Sequence, residues 1–211
     1  KENLLARATN RNGEVTTFSY DGAGRRVRLK VENPNEKLTK EYKYINDPTT
    51  PYSTILMRYG KDKQTEKYIH GIGHESTEKR NQWKETEKTF YTHNELGSQI
   101  REYDDKGNTT NSYEYDIFGV PSFREDSYNY TGYTNDTSTN LMFAQARYYL
   151  PEIGRFISED SYKGTMPDTQ SQNRYIYCTN NPLKYIDPSG HNFLGSLFSG
   201  KEFDRRTTEE Y

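Results

Sequence analysis

A five-residue phrase, Tyr-Asp-x-x-Gly, occurs three times in this chain of 211 residues. Its copies begin at Tyr20, Tyr103 and Tyr115. A tyrosine suits the end of a half-buried strand, and an aspartate accepts hydrogen bonds from the backbone amides of a turn. The glycine supplies the positive φ that such a turn requires. The repeated phrase therefore predicts short strands joined by tight turns.

The segments between these turns carry the alternation expected of strands. Only 30% of the residues are hydrophobic, but 14% are aromatic, including 20 tyrosines, and disordered chains lack aromatic residues. Alternation with period two is typical of an antiparallel sheet with one solvated face. We therefore predict an ordered, all-β protein with a thin core. The predicted strands are Thr16–Tyr20, Arg25–Val31, Leu38–Ile45, Thr54–Tyr59, Glu66–Ile69 and Lys84–His93.

Charge and composition exclude several classes of function. The formal net charge is -2, with both signs mixed along the chain, so no electrostatic argument favours binding to nucleic acid or to an anionic membrane surface. No run of 18 apolar residues is present, and we predict no membrane-spanning helix. No signal peptide precedes the first strand, and the chain begins at Lys1, so we expect a piece of a longer protein.

The best candidates for chemistry lie between residues 146 and 190. Asp160 and Asp187 are far apart in sequence, but each lies beside a turn, so a fold can bring them together. Two adjacent carboxylates can hydrolyse a peptide, because one stays protonated while the other acts as a base towards water. A purely structural interpretation stays open, in which Asp187 caps its turn and Asp160 is an exposed acid or forms an ion pair with Arg147.

Other motifs carry less weight. The spacing of His70 and His74 fits a zinc site only on a helix, and two intervening glycines disfavour a helix. We therefore predict no metal and no cofactor. Cys178 is the single cysteine, which excludes an internal disulfide, and a buried thiol without a histidine partner is inert. Three serines lack the context of an activated nucleophile, namely Ser98, Ser158 and Ser189.

The chain resembles the YD-repeat proteins, which include the bacterial Rhs and wall-associated polymorphic toxins and the C component of insecticidal Tc toxins. The resemblance covers residues 15–190 and is carried by the Tyr-Asp phrases together with two longer segments. These segments are TGYTNDTSTNLMFAQARYYLPEIGRFISED at 131–160 and NRYIYCTNNPLKYIDPSG at 173–190. It implies a curved strip of antiparallel β-hairpins, part of a hollow shell around a C-terminal toxin, ending in an Rhs-associated core region that plugs the shell.

The resemblance also implies a self-cleaving site. Core regions of the cleaving members use two aspartates and an arginine, which correspond here to Asp160, Asp187 and Arg147, with Arg155 as a second candidate for the arginine. The cut in the family follows the residue after the DPxG turn. The bond implied here is His191-Asn192.

Two positions depart from the family pattern. Ser161 stands where the family usually has proline, and His191 stands where it favours Leu, Met or Phe. A titratable residue at the cleavage position can slow the cut or make it depend on pH. Both departures favour an alternative, in which the shell no longer cuts and serves as a container or an adhesive surface module. A further alternative is a carbohydrate-binding module that stacks sugars on Trp83 and tyrosines.

The resemblance divides the chain into three parts. Residues 1–130 form the YD-repeat segment, 131–190 the core and autoprotease region, and 191–211 the stub of a linker to the toxin. The partners implied are the toxin domain in cis, the remainder of the shell and an immunity protein for the toxin. The implied location is secreted or on the bacterial cell surface.

Overall fold

The computed structural model describes residues 4–50, 53–60, 63–71, 73–161 and 172–191. Ten strands form one antiparallel sheet in which the spatial order is the order along the chain. This arrangement confirms the predicted strip of hairpins. The strands are β1 (Arg7–Thr9), β2 (Val15–Tyr20), β3 (Arg26–Asn33), β4 (Glu36–Asn46), β5 (Ile55–Gly60), β6 (Thr65–His70), β7 (His74–Arg80), β8 (Thr86–His93), β9 (Gln99–Tyr103) and β10 (Thr109–Ser112).

The turns of the Tyr-Asp phrases have the predicted geometry. In each copy the carboxylate accepts two backbone N–H bonds of 2.8–2.9 Å, and the glycine has φ between +82° and +92°. Three asparagines make the same turn with bonds of 2.9–3.0 Å. The turns at Asn10, Asn81 and Asn94 were not predicted, because the Tyr-Asp phrase requires an aspartate after a tyrosine, whereas an asparagine oxygen accepts equally well.

A smaller antiparallel sheet follows in the region 134–156. Its strands are β11 (Thr134–Asp136), β12 (Leu141–Ala144), β13 (Arg147–Leu150) and β14 (Arg155–Phe156), again in chain order. Single turns of 3-10 helix occur at Tyr130–Gly132, Pro151–Ile153 and Cys178–Asn180. No helix in the described part of the chain is long and apolar enough to cross a membrane.

The smaller sheet packs on both faces and contributes side chains to two hydrophobic clusters of the described residues. Successive side chains of a strand point to opposite faces. Phe143 and Tyr148 therefore face the large sheet, where they join a cluster with Phe18 and Leu29. The opposite face packs on the C-terminal segment in a second cluster, which contains Met142, Ala144, Tyr149, Phe156, Tyr177 and Cys178.

A buried ion pair also joins the two sheets. Arg26 of β3 and Asp136 of β11 lie 2.5 Å apart, with side chains 1% and 2% exposed. The guanidinium also donates to the Tyr148 hydroxyl at 3.1 Å and lies 4.7 Å from the centroid of the Phe143 ring. Polar contacts and apolar packing therefore hold the smaller sheet against the strip.

Candidate active site

Arg147 is placed by the register of the smaller sheet. It lies opposite Ala144 at the start of β13, so its side chain shares a face with Tyr149. The carbon at the centre of its guanidinium lies 3.6 Å from the centroid of the Phe156 ring. The residue is 3% exposed. Packing thus holds a cation beneath the C-terminal segment, where it meets two aspartates.

Asp160 reaches Arg147 because residues 155–160 run beside residues 174–176. Two backbone bonds hold these segments together, from the Phe156 amide to the Tyr175 carbonyl at 3.0 Å and from the Asp160 amide to the Arg174 carbonyl at 2.9 Å. The Arg147 Nη2 atom then lies 2.7 Å from Asp160 Oδ2. The Arg147 Nη1 atom donates to the Arg174 carbonyl at 3.0 Å.

Asp187 is held near Arg147 by the Asp-Pro-Ser-Gly turn. Its Oδ1 accepts from the Gly190 amide at 2.8 Å and from the Ser189 hydroxyl at 3.2 Å. Its Oδ2 lies 3.5 Å from Arg147 Nη2, the nitrogen that also contacts Asp160. The Arg147 Nε atom donates to the Gly190 carbonyl. One guanidinium therefore links both carboxylates and the backbone at the end of the turn.

Burial perturbs the charges in this cluster. It raises the pKa of Asp187 above its ordinary value, against the opposing effects of the Arg147 guanidinium and the Gly190 amide. It also lowers the pKa of Arg147, although both aspartates oppose this shift. The Asp187 side chain is 4% exposed and the Asp160 side chain 11%. The site thus favours a proton on the more deeply buried carboxyl group.

The structure brings some of the residues predicted from the sequence into one cluster and leaves others outside it. Arg147, Asp160 and Asp187 form one cluster, and His191 Nδ1 lies 3.0 Å from Asp160 Oδ1. Arg155 instead pairs along the backbone with Leu150 and Ile176. Asn192 and the rest of the predicted linker, residues 192–211, lie outside the described residues.

Two contacts of the cluster were not foreseen from the sequence. The Arg174 guanidinium donates through Nε to the Asp160 carbonyl at 2.8 Å. The Tyr133 hydroxyl, which is buried in the second cluster, donates to the Asp187 carbonyl. Both bonds go to backbone oxygens, so no pattern of side-chain types in the sequence signals them. These two bonds fix the backbone positions of Asp160 and Asp187.

The remaining candidates lie elsewhere. His70 and His74 are partners in the β6–β7 ladder, with ring centroids 5.7 Å apart, and no metal-binding group of three His, Cys, Asp or Glu occurs among the described residues. Cys178 is buried, and burial raises the pKa of its thiol. Trp83 lies in the turn that begins at Asn81 and is 72% exposed. Ser98 is fully buried and accepts from the Thr131 amide at 2.9 Å.

Comparison with known proteins gives consistent matches. A model described as RHS Repeat matches residues 1–35. The tRNA nuclease WapA of Bacillus subtilis strain 168 is 34% identical over 202 residues, which cover 90% of this chain and 8% of WapA. The tRNA3(Ser)-specific nuclease WapA of Bacillus spizizenii is 33% identical over 187 residues, covering 85% of this chain and 7% of that protein.

The fold has solved counterparts. The crystal structure of TcdB2-TccC3-Cdc42 matches with a TM-score of 0.67 at 21% identity, over 91% of this chain and 10% of that chain. Another match is a structure of the Photorhabdus luminescens Tc holotoxin pore, with a TM-score of 0.66 at 19% identity, over 94% of this chain and 11% of that chain. The present chain therefore spans about a tenth or less of each of these proteins.

Proposed function

The chain belongs to the YD-repeat, or Rhs, family, and on this premise we propose that it is the C-terminal part of a toxin shell that cuts itself to release the toxin. The bond we assign is His191-Asn192. The observation that carries the proposal is the contact of Arg147 Nη2 with two buried carboxylates, Asp160 at 2.7 Å and Asp187 at 3.5 Å. The Nε atom of the same guanidinium donates to the carbonyl of Gly190, the residue that precedes His191.

The roles of the two acids follow from their surroundings. Asp187 is the more deeply buried, and its raised pKa favours the protonated form. Asp160 forms the shorter contact with Arg147, which favours its carboxylate. We therefore assign Asp187 as the acid and Asp160 as the base, so that the two acids share one proton.

The proposed reaction is the hydrolysis of one peptide bond. Asp160 takes a proton from water, whose oxygen attacks the His191 carbonyl carbon, while Asp187 gives its proton to the carbonyl oxygen. The tetrahedral intermediate collapses as the C–N bond breaks, the Asn192 nitrogen takes the proton held by Asp160, and one hydroxyl of the intermediate returns a proton to Asp187. The products are a carboxyl group at His191 and an amine at Asn192. Arg147 holds the preceding Gly190 carbonyl and orients both acids.

The proposed partners follow from the family and its relatives. The toxin would be joined in cis after residue 191, enclosed by the remainder of the shell and neutralised in the producing cell by an immunity protein. We propose a secreted or cell-surface location on a bacterium. The tRNA nuclease activity in the names of the WapA relatives belongs to proteins more than ten times as long, and it supports a toxin as the cargo.

The test is the intact mass of the chain, extended after Tyr211 by a foldable tag. We expect the wild type to split after His191, and Asp160→Asn and Asp187→Asn to remain whole. The matched control is Asp104→Asn, because asparagine makes the same turn elsewhere in this chain and the variant should fold and split. Splitting of either active-site variant at the wild-type rate would refute the assignment.

A second candidate is a shell that does not cut and acts as a container or adhesive module. It is favoured by Ser161 and His191, the two departures from the family pattern. It predicts that the wild type and all three variants stay in one piece between pH 4 and pH 8.

A further inference from the structure

His191 contacts one of the two acids to which we assign the cut. Its Nδ1 lies 3.0 Å from Asp160 Oδ1, and its side chain is 41% exposed. Its amide donates to the Ser189 hydroxyl at 3.1 Å, which extends the Asp-Pro-Ser-Gly turn by one residue and aims the ring towards Asp160. The side chain at the cleavage position therefore reaches back to the acid that would act as the base.

This contact adds to others on the same carboxylate. Asp160 Oδ2 faces Arg147 from β13, and Asp160 Oδ1 faces His191 from the turn. Other charged groups nearby in the described part of the chain include Asp187, which shares Arg147, and the pair of Arg174 with Glu159. With His191 protonated, two cations contact Asp160, one on each oxygen. A carboxylate that is stabilised in this way is a weaker base.

We propose that protonated His191 slows the cleavage by holding Asp160 in an ion pair, so that the cut becomes faster as the imidazole loses its proton. The inference rests on the proposed autoproteolysis. His191 is here a positioning residue that acts through Asp160. Imidazoles change charge between pH 5 and pH 8, so the cut would respond to the acidity of the compartment that the shell enters. An apolar side chain at this position would lack this control.

The experiment measures the cleavage rate from pH 5 to pH 8 for the tagged wild type and three variants. His191→Leu removes the ring, His191→Gln keeps a hydrogen-bonding side chain without charge, and His191→Lys keeps a positive charge at every pH. Ionisations of the other groups largely cancel in the ratio of variant to wild-type rate. Partly exposed ion pairs contribute up to about 1 kcal/mol, which converts to a ratio of up to about fivefold.

We expect the ratio for His191→Leu and His191→Gln to be highest at pH 5 and to fall by up to about fivefold towards pH 8. We expect His191→Lys to be slow throughout. A ratio that does not change with pH would mean that His191 affects only recognition of the bond, and a ratio that rises with pH would mean that protonated His191 assists the cut. Either result overturns the inference but leaves autoproteolysis intact. If no version splits at any pH, both proposals fail.

Discussion

The buried ion pair between the strip and the smaller sheet allows the most quantitative prediction. Arg26→Met removes the positive charge that pairs with Asp136 while it fills a similar volume. Asp136 is 2% exposed, and burial raises the pKa of its carboxyl despite Arg26. Breaking a buried pair by removing one member costs about 3–5 kcal/mol, because the other charge stays buried. For a chain of this size that corresponds to a Tm lowered by roughly 6 to 20 °C.

The loss of stability in Arg26→Met should depend on pH in a direction that follows from the pKa of Asp136. An acid whose folded pKa is raised binds its proton more tightly in the folded state, so the stability it contributes at low pH is lost as pH rises through that pKa. Without Arg26 this pKa should rise further. The loss in Arg26→Met should therefore be largest at pH 7 and smaller near pH 4, where protonation removes the buried charge.

Urea unfolding of three variants at both pH values tests this reasoning. Arg26→Met/Asp136→Leu removes both charges and should recover most of the loss, because apolar replacements of a buried pair are often neutral. Arg25→Met is the matched control, since Arg25 pairs at 2.8 Å with Asp21 on the surface and should cost no more than about 1 kcal/mol. The idea is refuted if Arg26→Met unfolds like Arg25→Met at pH 7, or if the double variant is no more stable than the single one.

Three further predictions concern the candidate active site and the second cluster. Gly190→Ala should abolish the cut, because a Cβ there would lie 2.1 Å from the Ala144 carbonyl oxygen at a φ of +73°. The control is Gly22→Ala, whose Cβ would lie in open space, and its intact mass should show normal cleavage. In His191→Leu, the cut should slow as pH rises through the raised pKa of Asp187, because that acid must carry a proton; a rate that increases up to pH 8 would contradict this role. Cys178 should react with a thiol reagent only after unfolding, because it is 2% exposed and its pKa is raised; rapid labelling of the folded chain would contradict its burial.

Local signals in the sequence predicted much of the strip. The strands expected at Thr16–Tyr20 and Arg25–Val31 agree with β2 and β3 to within two residues. The polar strand β7 was not predicted, because His74–Arg80 lacks a clear alternation of apolar residues. Its partners β6 and β8 supply the backbone hydrogen bonds that make it a strand.

The resemblance to a family, rather than any local pattern, indicated the site. Arg147, Asp160 and Asp187 were named from family motifs, and the structure brings them into one cluster. Their assigned roles stay predictions, as do the domain boundaries. The contacts of Tyr133 and Arg174 could not be predicted, since each bonds to a backbone carbonyl that any residue would provide.

Whether the sequence or the tertiary structure determines a feature depends on how far apart in the chain the interacting residues lie. The sequence alone determined the turns, because an Asp or Asn oxygen bonds to amides only two and four residues ahead. Tertiary structure decided the site, because Arg147 contacts the Gly190 carbonyl 43 residues away. Burial then raises the pKa of Asp187, and burial is a property of the packed molecule that no segment has by itself.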